Sequence, residues 1–480
     1  MAQLIAREAE IKELQSLYHS GQAEFVVIYG RRRVGKTFLV RNVFDGQFTF
    51  EHTAMSPVEF DGINLLERQL QSFYIALKNC GSDIEQCPTN WVEAFQALRE
   101  FLQSRSDTSR QVVFLDELPW MDVPGSGFLT AFEHFWNSWA SGQDRIMLVV
   151  CGSATSWISD HLINSYGGLY GRTTREIKLS PFTLSECEQY YESRGIVMNR
   201  YDQLQCYMIM GGMPYYLSYL ERGKSLAQNI DQLFFSTSGK LHQEFDRLFR
   251  SLFVRHEQYA QVVHFLSTRN EGFTRKEISQ ATGVPYGGAL TTILRSLEAS
   301  DFIKHYVHYN GSKREVYYRL TDFFVLFYLH FIDKHPVRPN FWQASHLLPE
   351  LNAWRGFAFE NVCFTHISML KRALGIPAMD IEYSPWHSRI SSPGAQIDLV
   401  IDRSDRVINL CEMKFSLDLF EVKRDYDMNL RHKVATFIEE THCRKSVHPV
   451  LVTTFGIKKN AYSDFFQNVI TMDDLFGSDR

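Results

Sequence analysis

The 480-residue sequence has no C-x-x-C pair among its eight cysteines, Cys80, Cys87, Cys151, Cys187, Cys206, Cys363, Cys411 and Cys443. Zinc ribbons and thioredoxin-like redox centres need such spacing and are excluded. Free, buried thiols in a reducing compartment are the expectation. Net charge is small, 50 basic against 55 acidic side chains or −5, so a surface for a polyanion has to be local. No apolar run is long. The stretch from Phe323 to Ile332 is interrupted by His330 and falls well short of the ~20 residues that cross a bilayer. The N-terminus carries charge from Arg7 onward and does not read as a signal peptide. Internal repeats and low-complexity tracts are missing, which removes solenoids and disordered arms. These absences together point to a cytoplasmic protein without a membrane partner.

What is present is apolar mass: 45% hydrophobic and 14% aromatic residues, with 37 Phe. Such a chain builds several cores, and its length suggests about three domains. Residues 8–18 have helical spacing; Phe25 to Tyr29, VVFL at 112–115 and IMLVV at 146–150 read as buried strands separated by helical stretches. The expected fold class is therefore α/β and multidomain. Residues 1–180 read as alternating β and α around a parallel sheet, and residues 181–252 as helical only, punctuated at Gly211, Gly212 and Pro214. At 253–335, a helix ending at Gly283, a second helix at about 286–299 and a hairpin around Asn310-Gly311 predict a winged helix. The run DFFVLFYLHFI then reads as a buried helix. A joint containing Pro336, Pro339 and Pro349 leads to a last α/β domain at 340–480.

The strongest motif is Gly30-Arg31-Arg32-Arg33-Val34-Gly35-Lys36-Thr37, which fits G-x-x-x-x-G-K-[ST] between a strand and a helix. The glycines let backbone N–H groups face a triphosphate, Lys36 adds positive charge and Thr37 offers a hydroxyl to Mg²⁺. Phe38 follows directly on the nucleotide-binding stretch. Asp116, ending VVFL, is the expected second holder of Mg²⁺. Glu117 is the expected catalytic group that positions or deprotonates water, although adjacent acids also end ordinary turns. Ser153, at the tip of the next strand, is placed to sense the γ-phosphate. Arg172 and Arg175 follow a glycine-rich loop; Arg172 is preferred as a finger acting within one subunit or across a homo-oligomer, with a surface ion pair as the plain alternative for either.

YGRRRVGKT, FLDE, CGSATS, YGRTT and GGMPYYL, in this order, resemble the archaeal and bacterial ATPases of the STAND class of AAA+ relatives. The likeness covers about residues 1–335 and implies a P-loop NTPase core at 1–180, a helical lid at 181–252, and bound ATP and Mg²⁺. It also implies that Arg7 and Glu8 lie near the adenine or ribose, that Gly171-Arg172 is the family's Gly-Arg pair, and that Gly212 and Pro214 belong to the lid.

The second helix of the expected winged helix offers Tyr286, Thr291, Thr292 and Arg295, of which only one is basic. Lys304, Lys313 and Arg314 would have to supply a local patch for DNA. Nearer the C-terminus, QIDLVIDRSDRVINLCEMKF reads as two strands around a polar turn at Asp402 to Arg406. Glu412 and Lys414, two apart, share a face, as do Gln396 and Asp398. Glu360 lies on an otherwise apolar helical stretch beside Phe357, Phe359 and Phe364. Asp398 and Glu412 could hold a metal, with Glu360 completing it and Lys414 assisting the nucleophile. The set resembles the PD-(D/E)XK nuclease pattern, without its common Pro before the Asp. The tail as a whole resembles the domain of unknown function DUF234 that follows such ATPases. The resulting expectation is an ATP-driven switch coupled to a nuclease-like domain acting on nucleic acid, DNA first. The alternative is an ATPase regulator or scaffold whose nuclease-like domain only binds nucleic acid or protein; a processive translocase is disfavoured because further motor motifs are missing.

Overall fold

The computed structural model describes residues 4–57, 64–105, 109–164, 167–253, 255–333, 338–345, 349–388, 390 and 394–477. Pro336 of the expected joint lies outside them. Contacts divide the chain into two compact units. One holds residues 1–181 with 246–256 and 295–300; the other holds 182–245, 257–294 and 301–480.

The first unit is built on five parallel strands: β1 (Glu24–Tyr29), β2 (Phe48–Thr53), β3 (Gln111–Asp116), β4 (Ile146–Gly152) and β5 (Arg175–Lys178), in the order β2-β3-β4-β1-β5. β3 and β4 are buried at every position, as strands covered on both faces must be. Much of the aromatic richness of this part of the sequence goes into one core. Phe73, Trp91, Phe95, Phe128 and Phe132 from three helices stack on one another beside Phe25 of β1. The strand order brings the carboxyl ends of β3, β4 and β1 side by side, where open α/β sheets bind ligands.

The second unit contains two sheets. A small one joins β6 (Phe273–Thr274), β7 (Ile303–Tyr306) and β8 (Tyr317–Leu320) in the order β6-β8-β7, with helices Arg275–Thr282 and Gly288–Ala299 between β6 and β7. Thr274 caps the first of these helices with a reciprocal Glu277 contact, and Gly283 ends it in the left-handed region. β7 and β8 pair antiparallel on either side of Asn310-Gly311, as the hairpin reading expects, and the Gly311 N–H closes a turn on the His308 carbonyl at 2.8 Å; the connection is nevertheless long, ten residues from β7 to β8. Tyr309 explains the length. Its N–H bonds the Pro385 carbonyl at 3.0 Å, its hydroxyl bonds Asp402 at 2.9 Å and its ring packs on Phe437, so the loop is drawn onto the C-terminal sheet.

That larger sheet comprises β9 (Ile381–His387), β10 (Gln396–Arg403), β11 (Val407–Lys414), β12 (Ser446–Thr453) and β13 (Asn468–Thr471), ordered β13-β12-β11-β10-β9. β9, β10 and β11 are antiparallel neighbours, and a crossover through helix Arg424–Thr441 makes β12 parallel to β11. Helix Phe323–Phe331 is buried around its circumference as expected, against Tyr216, Phe234, Trp342 and Trp354. The expected lid helices Leu184–Arg194 and Arg200–Met210 belong to this same unit. The His366 ring accepts from the Leu184 N–H, Arg355 bonds Gln205 and Arg200 bonds Asp473. Among the cysteines, Cys151, Cys187, Cys206, Cys363 and Cys411 are buried, but Cys87 is exposed and Cys80 and Cys443 are half-buried, so the thiols are free without all being internal.

Candidate functional site

The loop after β1 curls because its glycines occupy backbone regions closed to other residues. Gly30 has φ +146°, and a Cβ there would lie 2.2 Å from the Leu179 carbonyl oxygen; Gly35 has φ +95° at the start of helix Lys36–Val43. Arg33 also takes a positive φ of 77°. Arg31 and Val34 are buried, the Arg32 guanidinium lies 5.6 Å over the Trp120 ring, and Phe38 is exposed. Lys36 is buried and its ammonium donates to the carbonyls of Gly30 (2.9 Å) and Arg31 (3.1 Å) and to Ser153 Oγ (3.1 Å). Burial lowers its pKa, while Glu117 and Asp116 pull the other way.

The acidic pair closes the set. Thr37 Oγ1 donates to Asp116 Oδ2 at 2.9 Å; Glu117 accepts from the Ser153 N–H at 3.0 Å and from its hydroxyl at 2.6 Å. Burial, and after it the Glu117 charge, raises the Asp116 pKa, the field a cation would relieve. Glu117 has φ 50°, a conformation that sequence spacing does not reveal. Arg7 is buried, with its guanidinium on the Ser180 carbonyl and 3.6 Å from Glu10. Arg172 is exposed in the segment before β5, whereas Arg175 is paired with Glu13 on the surface. Pro214 opens the short helix Pro214–Leu217 of the second unit.

The second constellation lies on the C-terminal sheet. β10 carries a bulge between Ile397 and Val400, opposite Pro385 of β9, which has no N–H to offer. Within the bulge, Asp398 accepts from the Met413 N–H at 2.8 Å. A cavity of about 320 Å³ is lined by Gln396, Asp398, Lys414 and Glu360, together with Arg319 of β8 and Lys433 of helix Arg424–Thr441. Glu412, buried beside it, is 2.9 Å from Lys414 and 2.8 Å from Lys433, and accepts from the Tyr426 hydroxyl. Against burial, those two lysines hold the Glu412 pKa below the ordinary range, while Glu412 and Asp398 hold Lys414 above its own. Burial pushes Glu360 up to about 7, with Asp398 adding to it, and Asp398 up to about 6, with Glu412 adding to it.

Sequence reading missed Lys433, Tyr426 and Arg319. The first two had a signal: Tyr426, Leu430, Lys433 and Phe437 form one helical stripe, of which Leu430 and Phe437 are buried. Among the described residues, no three Asp, Glu, His or Cys side chains form a ready metal cluster. The expected trio of Glu360, Asp398 and Glu412 is therefore not assembled as such, because Glu412 is turned to the two lysines. The carboxyl oxygens of Asp398 and Glu360 on the cavity remain of the donor type that a hard divalent cation takes.

A lysine-bearing glycine loop ahead of a helix, and an acidic pair closing a neighbouring strand of a parallel sheet, define a P-loop NTP hydrolase. Residues 4–220 match the family model described as an ATPase domain predominantly from Archaea. The chain thus carries an archaeal-type ATPase domain and is an ATPase. An uncharacterized protein of Methanocaldococcus jannaschii, MJECL04, is 24% identical over 430 residues, covering 88% of this chain and 90% of its own. Among solved structures, the Walker-type ATPase PABY2304 of Pyrococcus abyssi is 16% identical with a TM-score of 0.43, over 68% of this chain and 96% of its own. The STAND protein PH0952 of Pyrococcus horikoshii, with a tetratricopeptide repeat sensor, is 13% identical with a TM-score of 0.31, over 78% and 52% respectively. No helix among the described residues is long and apolar enough to cross a membrane.

Proposed function

We propose that the chain is an ATP-driven switch whose C-terminal part is a Mg²⁺-dependent, PD-(D/E)XK-like nuclease domain acting on nucleic acid, in the first instance DNA. The observation that carries this reading is the shared cavity of Asp398, Lys414 and Glu360 at one end of a β-hairpin, with Glu412 in contact with Lys414. The succession of helix Pro349–Thr365, three antiparallel strands, helix Arg424–Thr441 and a parallel strand supports it, since this order brings one acid from a helix, Glu360, and one from a strand, Asp398, onto one cavity.

In the ATPase half, Thr37 and Asp116 are the residues to hold magnesium, which polarises phosphate oxygens when bound. Lys36 binds the β- and γ-phosphates, Glu117 takes a proton from water, and Ser153 reports the γ-phosphate by leaving Glu117. Arg7 contributes a nucleotide contact, and exposed Arg172 acts as a finger within its own subunit or on a neighbouring copy. In the nuclease-like half, Asp398 and Glu360 hold the cation with Glu412 behind them, and Lys414 stabilises charge on the phosphodiester. Residues 253–335 act as a winged helix, with helix Gly288–Ala299 towards DNA. Nucleotide state shifts the balance between domain arrangements and so gates cleavage.

One observation favours the second reading, a regulator whose nuclease-like domain binds without cutting: Glu412 is already engaged by Lys414, Lys433 and Tyr426. Supercoiled plasmid incubated with the protein, Mg²⁺ or Mn²⁺, with and without ATP, separates the two. Nicking that is lost in Lys414→Ala while ATP turnover persists is expected; turnover without nicking of plasmid, single-stranded DNA or RNA would select the regulator.

A further inference from the structure

The cavity next to Asp398 is not made by the C-terminal sheet alone. The β6–β8 module supplies part of its wall: Tyr306 of β7, Arg319 of β8 and the loop at Asn270-Glu271, whose Glu271 carbonyl accepts from the Tyr306 hydroxyl. Arg319 is the unusual member. The residue is 7% exposed, its guanidinium lies 5.3 and 5.1 Å from the rings of Phe357 and Phe364, and its Nε and Nη2 are buried without a hydrogen-bond partner. The nearest carboxylate, Glu360, is 3.7 Å from Nη2, an ion pair too long for a hydrogen bond. A buried guanidinium packed beside two rings has lost much of its freedom in advance and keeps its Nε and Nη2 for a bidentate anion.

We propose that Arg319 is a phosphate-binding residue of this cavity and that the cavity takes a single-stranded DNA segment. The inference rests on the nuclease-like reading and names its substrate. Arg319, Lys414 and Lys433 offer three cations around a recess whose volume, about 320 Å³, lies at the small end of ligand pockets. A duplex, whose major groove alone is about 12 Å wide, does not enter such a recess. The wall built by Tyr306 and the Asn270-Glu271 loop stands beside the carboxylates, where a flat duplex face would have to approach. An extended strand threads between the wall and the sheet, with Arg319 on one phosphate, Lys414 on the next, and Tyr306 offering a ring for a base.

Fluorescence anisotropy tests this on the full chain, with Ca²⁺ replacing Mg²⁺, using a labelled 15-nucleotide single strand and the same sequence as a duplex. The single strand should bind at least about tenfold more tightly. Arg319→Ala should weaken it about tenfold and reduce the slope of log affinity against log salt by about 0.7, the share of one single-strand phosphate. Arg319→Lys should retain the slope with intermediate affinity, which a purely structural arginine would not do. Equal binding of the duplex, or an unchanged slope in both variants, overturns the inference. If the duplex is bound and nicked without strand preference, the inference falls and the nuclease reading stands. If neither DNA binds or is cut, both fall.

Discussion

The Ser153 hydroxyl donates a 2.6 Å hydrogen bond to Glu117, the acid expected to activate water. The same oxygen accepts from Lys36, so the lysine proposed to bind phosphate and the acid proposed to activate water are joined through one serine. A γ-phosphate competes for both partners and would leave Glu117 free to face water. Glu117→Gln should therefore bind ATP with near-normal affinity and turn it over about 10²–10⁴-fold more slowly, the range for removing a general base. Calorimetry for binding and phosphate release for turnover separate the two effects.

Lys36→Ala removes the buried ammonium that the loop carbonyls of Gly30 and Arg31 surround. ATP turnover should fall below detection and calorimetric ATP uptake should be lost. Circular dichroism should remain that of the native protein, because three hydrogen bonds and no large apolar surface are removed.

Lys433→Met keeps the stem of the side chain and removes its charge from Glu412, leaving that buried carboxylate with Lys414 and Tyr426. Losing one partner of a buried charge costs about 1–3 kcal/mol, so scanning calorimetry should show an unfolding transition lowered by roughly 2–10 °C. ATP turnover should be unchanged.

Stability should depend on pH through Glu360 and Asp398, whose pKa values of about 7 and about 6 exceed those of unfolded carboxyls near 4. Well below pH 4, both states hold the protons and nothing is gained or lost. Above it, the unfolded chain ionises first, so stability falls as pH rises and levels off beyond about 7. In EDTA, the melting temperature should decline from pH 5 to pH 8, Glu360→Gln should flatten the decline, and Mg²⁺ should oppose it. A melting temperature that rises over this range in EDTA would contradict the assignment.

The difference between what could and could not be read from sequence has a physical cause. The phosphate loop is contiguous, and its chemistry follows from eight residues between a strand and a helix. Asp398, Glu412 and Lys414 could be grouped because a short polar turn at Ser404 to Arg406 fixes which residues of β10 and β11 come together. Arg319 and Lys433 arrive from a different sheet and from a crossover helix, and only long-range packing brings them in. The bulge at Asp398 was equally hidden, since it depends on Pro385 in a strand that precedes it. Asn310-Gly311 marked the hairpin of β7 and β8 but not the length of its loop, which depends on Tyr309 reaching Asp402 in another sheet.

The fastening of His366 to Leu184, Arg355 to Gln205 and Arg200 to Asp473 has a practical and an evolutionary side. The helices that follow the ATPase core share their interior with the C-terminal sheet, so expression of the first 335 residues alone would leave Tyr207 without the His366 ring it packs on and Gln205 without its arginine. Such a fragment should aggregate, and gene fusions that exchange the tail between relatives would have to carry these helices along with it.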